Sequence, residues 1–414
     1  MTNYSQKFQR QGDKKNSDYF EEYIEKIYER REKSGLNDLL GNIRAITIQV
    51  EDAQGYMEEL YLMTPYRFHL AFNTDSHHIR ILRIKPEYPD LILLQPNAAD
   101  YHDIFSDLNN LYPNSRKKPR TRYLGEIFHT KNLQETHDLL SEQQVRFLDQ
   151  SPNSFLAHDQ LRFTVPSYYS SNILGYTELD FSDYSFLGQP TDLTAEQKER
   201  LEKMDTLQKH FGITKLVQGI DHLATRVLTG SREDAILEFL TMSNYYFWGA
   251  YNIEEMNSST NINRNPNIEY ELHSPAKVFT ANNTPFYTKS IDNLPSPTED
   301  FVRNFGSRMH HMAYEVEDGE TAGIKNIDYV VNKLIESDIP FLAKVIGKCK
   351  DIPDLKQIFS KASQHSLLIT EYVQRCKGFG GFFTKSNVAE LTKAAGEDEA
   401  LKPTPPGLKT MVGD

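Results

Sequence analysis

The chain has 414 residues, 25% of them charged, and a formal net charge of -12 at pH 7. This length allows two or three domains, and the acidic balance argues against non-specific nucleic-acid binding, which depends on Lys and Arg. The only cysteines, Cys349 and Cys376, make no disulfide framework, which favours a reducing compartment. Because the sequence shows neither a membrane-spanning apolar run nor a signal peptide, we expect a cytoplasmic protein without membrane partners.

Residues 1–40 are interpreted as a tail with one short amphipathic helix over residues 20–31. The first 18 residues are rich in Gln, Asn, Lys and Ser, which predicts disorder. From residue 41 the pattern becomes regular. A strand at 43–50 and a helix at 52–63 precede three strands at 67–72, 78–84 and 91–94. Together these elements predict a first βαβββ module.

A second module begins near Tyr123, with a strand at 125–129. Asn132 has the character of a helix N-cap and precedes a helix that extends to about residue 142. Further strands are predicted at 145–148, 160–165 and 176–181. Residues 41–186 are therefore assigned to an N-terminal domain, and the polar stretch 187–214 to a linker.

A third module begins at Gly219, with a helix from residue 231, and its Asn-rich stretch 254–267 is expected to be a long loop. A fourth begins at Met309, with a helix over 327–335. Residues 139–148 resemble residues 334–342, which indicates an internal repeat. The four modules predict an α+β fold of two pseudo-symmetric, partly open barrels of eight strands each. The second domain is assigned to residues 215–395, and residues 396–414 to a tail.

Two histidines and one carboxylate occupy three predicted strands of the second half. His222, His311 and Glu371 could form the 2-His-1-carboxylate set that binds iron. Superposing the third and fourth modules matches His222 to His311 rather than to His310. Matching residues 50–52 to 316–318 places Ala45 at the position of His311, which predicts that the N-terminal domain holds no metal. The pair at residues 77–78 has no counterpart in another module, so we expect it at the surface.

Three stretches carry a family resemblance: 357–361, 369–375 and 378–383. They resemble the C-terminal signature of 4-hydroxyphenylpyruvate dioxygenases, and residues 221–222, 247–248 and 311–313 are also similar to that family. The resemblance covers about residues 215–395. It implies the vicinal-oxygen-chelate fold in two tandem domains. It also implies that Fe(II) is the cofactor, bound by catalytic residues His222, His311 and Glu371.

The same resemblance implies a substrate site. Gln357 would contact the substrate, Phe359 and Phe379 would stack on its ring, and Phe383 would lie on a closing C-terminal helix that begins near Asn387. The chain departs from the family in two pocket positions and in a shorter stretch between His311 and Gln357. His310 replaces a glutamine and Asp292 replaces an asparagine. These two residues could bind substrate as a different polar pair, one that takes a proton near neutral pH.

The leading hypothesis is a non-haem Fe(II) dioxygenase that decarboxylates and hydroxylates an aromatic 2-oxo acid. Its partners would be a small-molecule substrate and O2, with a homo-oligomer left open. One alternative is an extradiol ring-cleaving dioxygenase, which would act on catechols without a 2-oxo acid. Another is a non-catalytic binding protein on the same fold.

Overall fold

The structure is a computed structural model that describes residues 6–8, 10–13, 17–149, 155–179, 184–266, 274–350 and 352–397. The helices are α1 (Asp18–Ser34), α2 (Leu36–Leu39), α3 (Ala53–Met63), α4 (Ile104–Asn110), α5 (Leu133–Glu142), α6 (Ala195–Phe211), α7 (Arg232–Thr241), α8 (Pro297–Phe305), α9 (Asn326–Ile335) and α10 (Lys385–Glu397). The strands are β1 (Gln11–Gly12), β2 (Leu40–Gln49), β3 (Arg67–Asn73), β4 (His77–Arg83), β5 (Asp90–Pro96), β6 (Arg122–Thr130), β7 (Arg162–Phe163), β8 (Ile173–Thr177), β9 (Val217–Arg226), β10 (Tyr246–Ile253), β11 (Ser258–Arg264), β12 (Ala276–Ala281), β13 (Arg308–Val316), β14 (Glu320–Thr321), β15 (Ile324–Lys325), β16 (Asp354–Phe359) and β17 (Ile369–Cys376).

Two large sheets repeat one topology. The first has the strand order β3-β4-β5-β2-β6-β8-β7, and the second has β1-β10-β11-β12-β9-β13-β17-β16. In both, the central strand pairs in parallel with one neighbour and antiparallel with the other, as β2 does with β5 and β6, and β9 with β12 and β13. The predicted α+β fold of two partly open, pseudo-symmetric barrels is confirmed.

The modules supply seven strands to each sheet, one fewer than the predicted eight, because β1 in the second sheet comes from the N-terminal segment. The strand expected at 145–148 is only a single bridge between Phe147 and Thr164, and its counterpart near residue 341 is a bridge between Phe341 and Ser360. Pro340 has no N–H to donate to a ladder, which explains the short pairing in the second case. The internal repeat therefore extends to this irregular connection.

The N-terminal segment joins the C-terminal sheet. Gln11 pairs in parallel with Gly249, so disorder is a wrong prediction for β1; residues 1–5, 9 and 14–16 lie outside the described ranges. Gly249 has a φ of 154°, and a Cβ there would lie 2.0 Å from the carbonyl oxygen of Gln11, so only glycine permits this approach. The helix predicted over 20–31 is α1, and the buried Arg31 fastens it by donating to the carbonyls of Leu240 and Tyr245.

The Asn-rich stretch 254–267 is not a long loop, because half of it is strand β11; residue 267 lies outside the described ranges. The polar side chains of this strand are mostly buried, and the amide N–H groups of two asparagines donate to carbonyls of the neighbouring strand β12. Asn261 Nδ2 donates to the carbonyl of Phe279, and Asn263 Nδ2 to that of Lys277. Composition alone therefore gave the wrong prediction, since amide side chains can take part in a sheet interior when each finds a partner.

The predicted linker contains one long helix, and the two cysteines differ from expectation. Residues 187–214 contain the long helix α6, which begins at a capping box formed by Thr194 and Gln197. Cys349 and Cys376 form a disulfide, so the two cysteines do not support the reducing compartment inferred from their number. Within the described ranges, none of the helices combines the length and the apolar character that crossing a bilayer requires.

The two barrel interiors differ in chemistry. A cluster of buried aliphatic and aromatic side chains fills the N-terminal barrel, including Ala45, Ile92 and Ile127. The inner face of the C-terminal sheet instead presents His222, His311 and Glu371, all buried. Burying charged or polar groups is costly unless they have partners, so this cluster makes the second barrel the candidate functional site.

Candidate metal centre

Sheet register brings the three predicted ligands together. His222 on β9 pairs with Ala313 on β13, and Ala313 pairs with Glu371 on β17, so one row of the sheet holds two ligands on either side of an alanine. His311 lies one same-face position along β13, paired with Ala224. The two alanines leave the space into which the imidazole and carboxylate groups converge.

The three donor atoms form a small triangle. His222 Nε2 lies 3.1 Å from Glu371 Oε2 and 3.3 Å from His311 Nε2, and His311 Nε2 lies 3.2 Å from Glu371 Oε2. Donors about 2.1 Å from one ion lie about 3.0 Å apart at right angles and about 3.4 Å apart in a tetrahedron. The triangle therefore fits a single divalent ion, and no other such His, Cys, Asp or Glu group occurs among the described residues.

Asp221 and Arg375 fix the orientation of His222. The Nδ1–H of His222 donates to Asp221 Oδ1 at 2.7 Å, and the guanidinium of Arg375 forms an ion pair with the same carboxylate. This leaves the Nε2 of His222 directed at the centre, as metal-binding histidines require. Burial lowers the pKa of His222, but the carboxylates of Glu371 and Asp221 raise it to about 9.

His310 has a different role from the predicted one. Its Nδ1 lies 2.8 Å from the Nδ1 of His311. If His311 presents a free Nε2 lone pair to the centre, its Nδ1 carries the proton and donates it to His310. His310 contacts Phe301 and Phe359 rather than the cavity, and burial holds its pKa well below the usual range. Burial and the neighbouring Arg226 and His311 thus disfavour the expected proton uptake near neutral pH.

Asp292 does not meet His310. It lies in the exposed stretch before α8, where its carboxylate accepts from the backbone N–H of Leu294 and pairs with Lys289 at 3.0 Å. The family resemblance implied a pocket position for Asp292, but the strand that pairs in parallel with β9 is β12, which ends at Ala281, before Asp292. The predicted Asp292–His310 pocket is therefore wrong.

A cavity opens beside the three donor atoms. Gln357 reaches its wall from β16, donates its Nε2–H to Glu371 Oε1 at 2.7 Å, and keeps a buried Oε1 without a partner. The ring of Phe359 lies 4.8 Å from that of His311. The cavity is lined by His311, Glu371, Gln357, Phe359, Phe383, Arg226, Ser258, Thr260, Val278, Thr280, Thr298, Val388, Leu391 and Thr392.

The aromatic residues after β17 are arranged differently from the prediction. Phe379 is partly buried in the turn that follows the strand and is absent from the cavity wall. Phe383 lies 5.1 Å from His222 between ring centroids, with Phe382 beside it. Phe383 precedes α10, whose first free N–H groups are capped by Thr384, so the helix begins earlier than Asn387.

The N-terminal barrel has small residues where the ligands stand in the other barrel. Ala45 pairs with Ile127 as His311 pairs with Ala224, which agrees with the predicted match between the first and fourth modules. It also pairs as His222 pairs with Ala313, so Ala45 corresponds to His222 when the two whole domains are matched in order. The same register assigns glycines to the other two positions. The equivalents of His222, His311 and Glu371 are, in that order, Ala45, Gly125 and Gly175.

The competing histidine pair lies in this N-terminal barrel. His77 on β4 is buried, with Nδ1 2.8 Å from Ser76 Oγ and Nε2 3.3 Å from Gln49 Oε1. It is therefore an interior residue and not the surface residue expected. His78 is partly exposed.

Comparisons with known proteins place this arrangement among solved folds. A mutant of 4-hydroxymandelate synthase from Streptomyces coelicolor is 15% identical, with a TM-score of 0.56 over 86% of this chain and 98% of that one. A fusion protein of a xylose isomerase-like TIM barrel and a 4-hydroxyphenylpyruvate dioxygenase is 12% identical, with a TM-score of 0.55 over 89% and 57%. No family model matches the sequence, and no curated protein matches it. The resemblance inferred from the motifs is confirmed at the level of the tandem vicinal-oxygen-chelate fold.

Proposed function

We propose that this protein is a non-haem Fe(II) dioxygenase, similar to 4-hydroxyphenylpyruvate dioxygenase, that oxidatively decarboxylates and hydroxylates an aromatic 2-oxo acid. The observation that carries the proposal is the triangle of His222 Nε2, His311 Nε2 and Glu371 Oε2 beside a cavity. Two imidazoles and one carboxylate on one side of an ion leave positions open for substrate and O2. When bound, Fe(II) would supply the redox chemistry that amino-acid side chains lack.

The residues around the triangle have separate tasks. Asp221 and Gln357 hold His222 and Glu371 in position through hydrogen bonds of 2.7 Å each. The hydrogen bond to Glu371 fixes the side-chain amide of Gln357. Its buried Oε1 has no partner, so it is available to a hydroxyl or N–H donor on the substrate. Phe359 and Phe383 supply apolar walls that exclude water and can pack on an aromatic ring.

Sequence motifs favour a 2-oxo acid over a catechol. The stretches 357–361 and 378–383 resemble those of 4-hydroxyphenylpyruvate dioxygenases. One of the similar solved structures is a 4-hydroxymandelate synthase, and the other contains a 4-hydroxyphenylpyruvate dioxygenase. With Fe(II) held by His222, His311 and Glu371, a 2-oxo acid would bind beside Glu371 through its carboxylate and keto oxygens.

Simultaneous measurement of O2 uptake and CO2 release tests this function. The Fe(II)-loaded protein should consume O2 with an aromatic 2-oxo acid such as 4-hydroxyphenylpyruvate or phenylpyruvate, and release one CO2 per O2. Glu371→Ala should abolish both signals, whereas His102→Ala, which changes a histidine exposed at the surface, should leave them unchanged. O2 uptake with catechols and no CO2 would establish the extradiol alternative. Stoichiometric binding of these compounds without any O2 uptake would establish a binding protein.

A further inference from the structure

Arg226 is a buried cation without an acidic partner. It lies at the end of β9 on the same face as His222, is 5% exposed, and lines the cavity beside the triangle. Its Nη1 donates to the carbonyl of Pro297 at 3.1 Å, and its guanidinium lies 5.1 Å from the ring centroid of Phe301. Within the described part of the chain, no carboxylate forms an ion pair with it.

The one acidic residue that stabilises the charge of Arg226 has another partner. Asp300 contributes to the electrostatic environment of Arg226, but its carboxylate accepts a hydrogen bond from the hydroxyl of Tyr287. Burial accordingly lowers the pKa of Arg226 to about 9, since Asp300 offsets only part of the loss of hydration. A buried guanidinium of this kind is costly unless an anion joins it, so an anionic ligand would remove the deficit.

Register gives the distance between Arg226 and the metal centre. Arg226 pairs with Thr280 on β12, and Thr280 pairs with Thr260 on β11, so the three side chains form one row across the sheet. His222 is four residues back along β9, which is about 13 Å between Cα atoms, and the row of His311 is two residues back, about 7 Å. The same cavity is thus lined by two of the metal-donor side chains, His311 and Glu371, and by the cation of Arg226, whose charge also acts on His311.

Several hydroxyl groups line the same cavity as Arg226. Thr280 Oγ1 is buried and has no hydrogen-bond partner, and Ser258, Thr260 and Thr298 line the same part of the wall. An arginine with several hydroxyl donors is a typical arrangement for a carboxylate, which accepts at both oxygens. The side chains between the two ends, Val278 among them, are largely apolar.

We propose that Arg226, together with the hydroxyl of Thr280, binds a carboxylate at the end of the substrate that is distant from the metal centre. This inference rests on the proposed function, which places the 2-oxo acid group of the substrate at the metal centre. The preferred substrates would be aromatic 2-oxo acids with a second carboxylate on the ring, rather than those with a neutral phenol. Arg226 and Thr280 line the same cavity as His311 and Glu371, so one ligand could contact both groups.

Calorimetric binding tests the subsite without turnover. Protein loaded with Co(II) under anaerobic conditions, and metal-free protein, are each titrated with 4-carboxyphenylpyruvate and 4-hydroxyphenylpyruvate. The carboxylate compound should bind at least about tenfold more tightly, the effect of one charge-assisted hydrogen-bonded pair. Arg226→Met should remove this preference, Arg226→Lys should keep part of it, and Glu371→Gln should weaken both ligands while leaving the preference.

The outcomes separate this inference from the proposed function. Equal affinities in the unchanged protein, or a preference that persists in Arg226→Met, would overturn the subsite even if O2 is consumed. A preference that persists without metal binding or O2 uptake, but disappears in Arg226→Met, would support the subsite and reject the oxygenase. If Arg226→Met does not fold, Thr280→Val should reduce the preference about threefold, and an unchanged preference in that variant would also count against the proposal.

Discussion

Replacing Asp221 with asparagine should weaken metal binding without removing a ligand. The carboxylate of Asp221 accepts from two donors, the Nδ1–H of His222 at 2.7 Å and the guanidinium of Arg375, with Arg375 Nη2 at 3.1 Å from Oδ1. An asparagine side chain has the same shape but only one acceptor oxygen, so one of these donors loses its partner. Loss of such an outer hydrogen bond typically weakens metal binding 10- to 100-fold, or about 1.4–2.7 kcal/mol.

The assay is an anaerobic Co(II) titration in competition with a chelator of known affinity. Asp205→Asn serves as the control, because Asp205 pairs with Arg67 at 2.7 Å on the other half of the molecule and its loss should leave metal affinity unchanged. Far-ultraviolet circular dichroism verifies that both variants fold. If Asp221→Asn binds Co(II) within twofold of the unchanged protein, then Asp221 does not orient a metal-binding His222.

Three further expectations concern protons and the disulfide. Burial lowers the pKa of His222, but neighbouring carboxylates raise it to about 9. Metal binding at pH 7.5 should therefore release about one proton, which calorimetry in buffers of different ionisation enthalpy measures. Metal binding without proton release would contradict this expectation. Burial lowers the pKa of His77 from 6.5 to about 4, so the unfolded chain takes up a proton at a higher pH than the folded protein does. The free energy of unfolding, measured with urea, should therefore be greatest above pH 6.5 and fall by about 3 kcal/mol towards pH 4. The His77→Gln variant should show a smaller fall. Reducing the disulfide between Cys349 and Cys376, 27 residues apart, should cost about 3.5 kcal/mol of unfolding free energy, and equal urea midpoints with and without reductant would argue against a stabilising bridge.

The module pattern was predictable from sequence because strand alternation and the helix stripes recur at similar spacing in each module. Superposing two such repeats distinguished His311 from its neighbour His310, and the structure brings His311 together with His222 and Glu371. Whether these residues bind iron stays a proposal. The match of Ala45 to His311 agrees with the strand register, and the register adds that Ala45 corresponds to His222 when whole domains are matched in order.

Other features depended on contacts that a sequence does not reveal. Strand β11 resembles a loop in composition, and only its hydrogen bonds to β12 explain its buried asparagines. Arg226 shares the alternation of His222 along β9, which was a usable signal, but its lack of a counter-ion is visible only in three dimensions. Phe379 and Asp292 were assigned through family motifs, and short motifs cannot determine which way an irregular segment turns.

The most direct test of the metal centre is an anaerobic Fe(II) equilibrium titration of the full chain, followed by quantification of bound iron. The account predicts one Fe(II) per chain, and less than one tenth of that occupancy under the same conditions in His311→Ala. The surface variant His102→Ala should bind one equivalent. Failure of the unchanged protein to bind Fe(II), or full occupancy in His311→Ala, would contradict a centre formed by His222, His311 and Glu371.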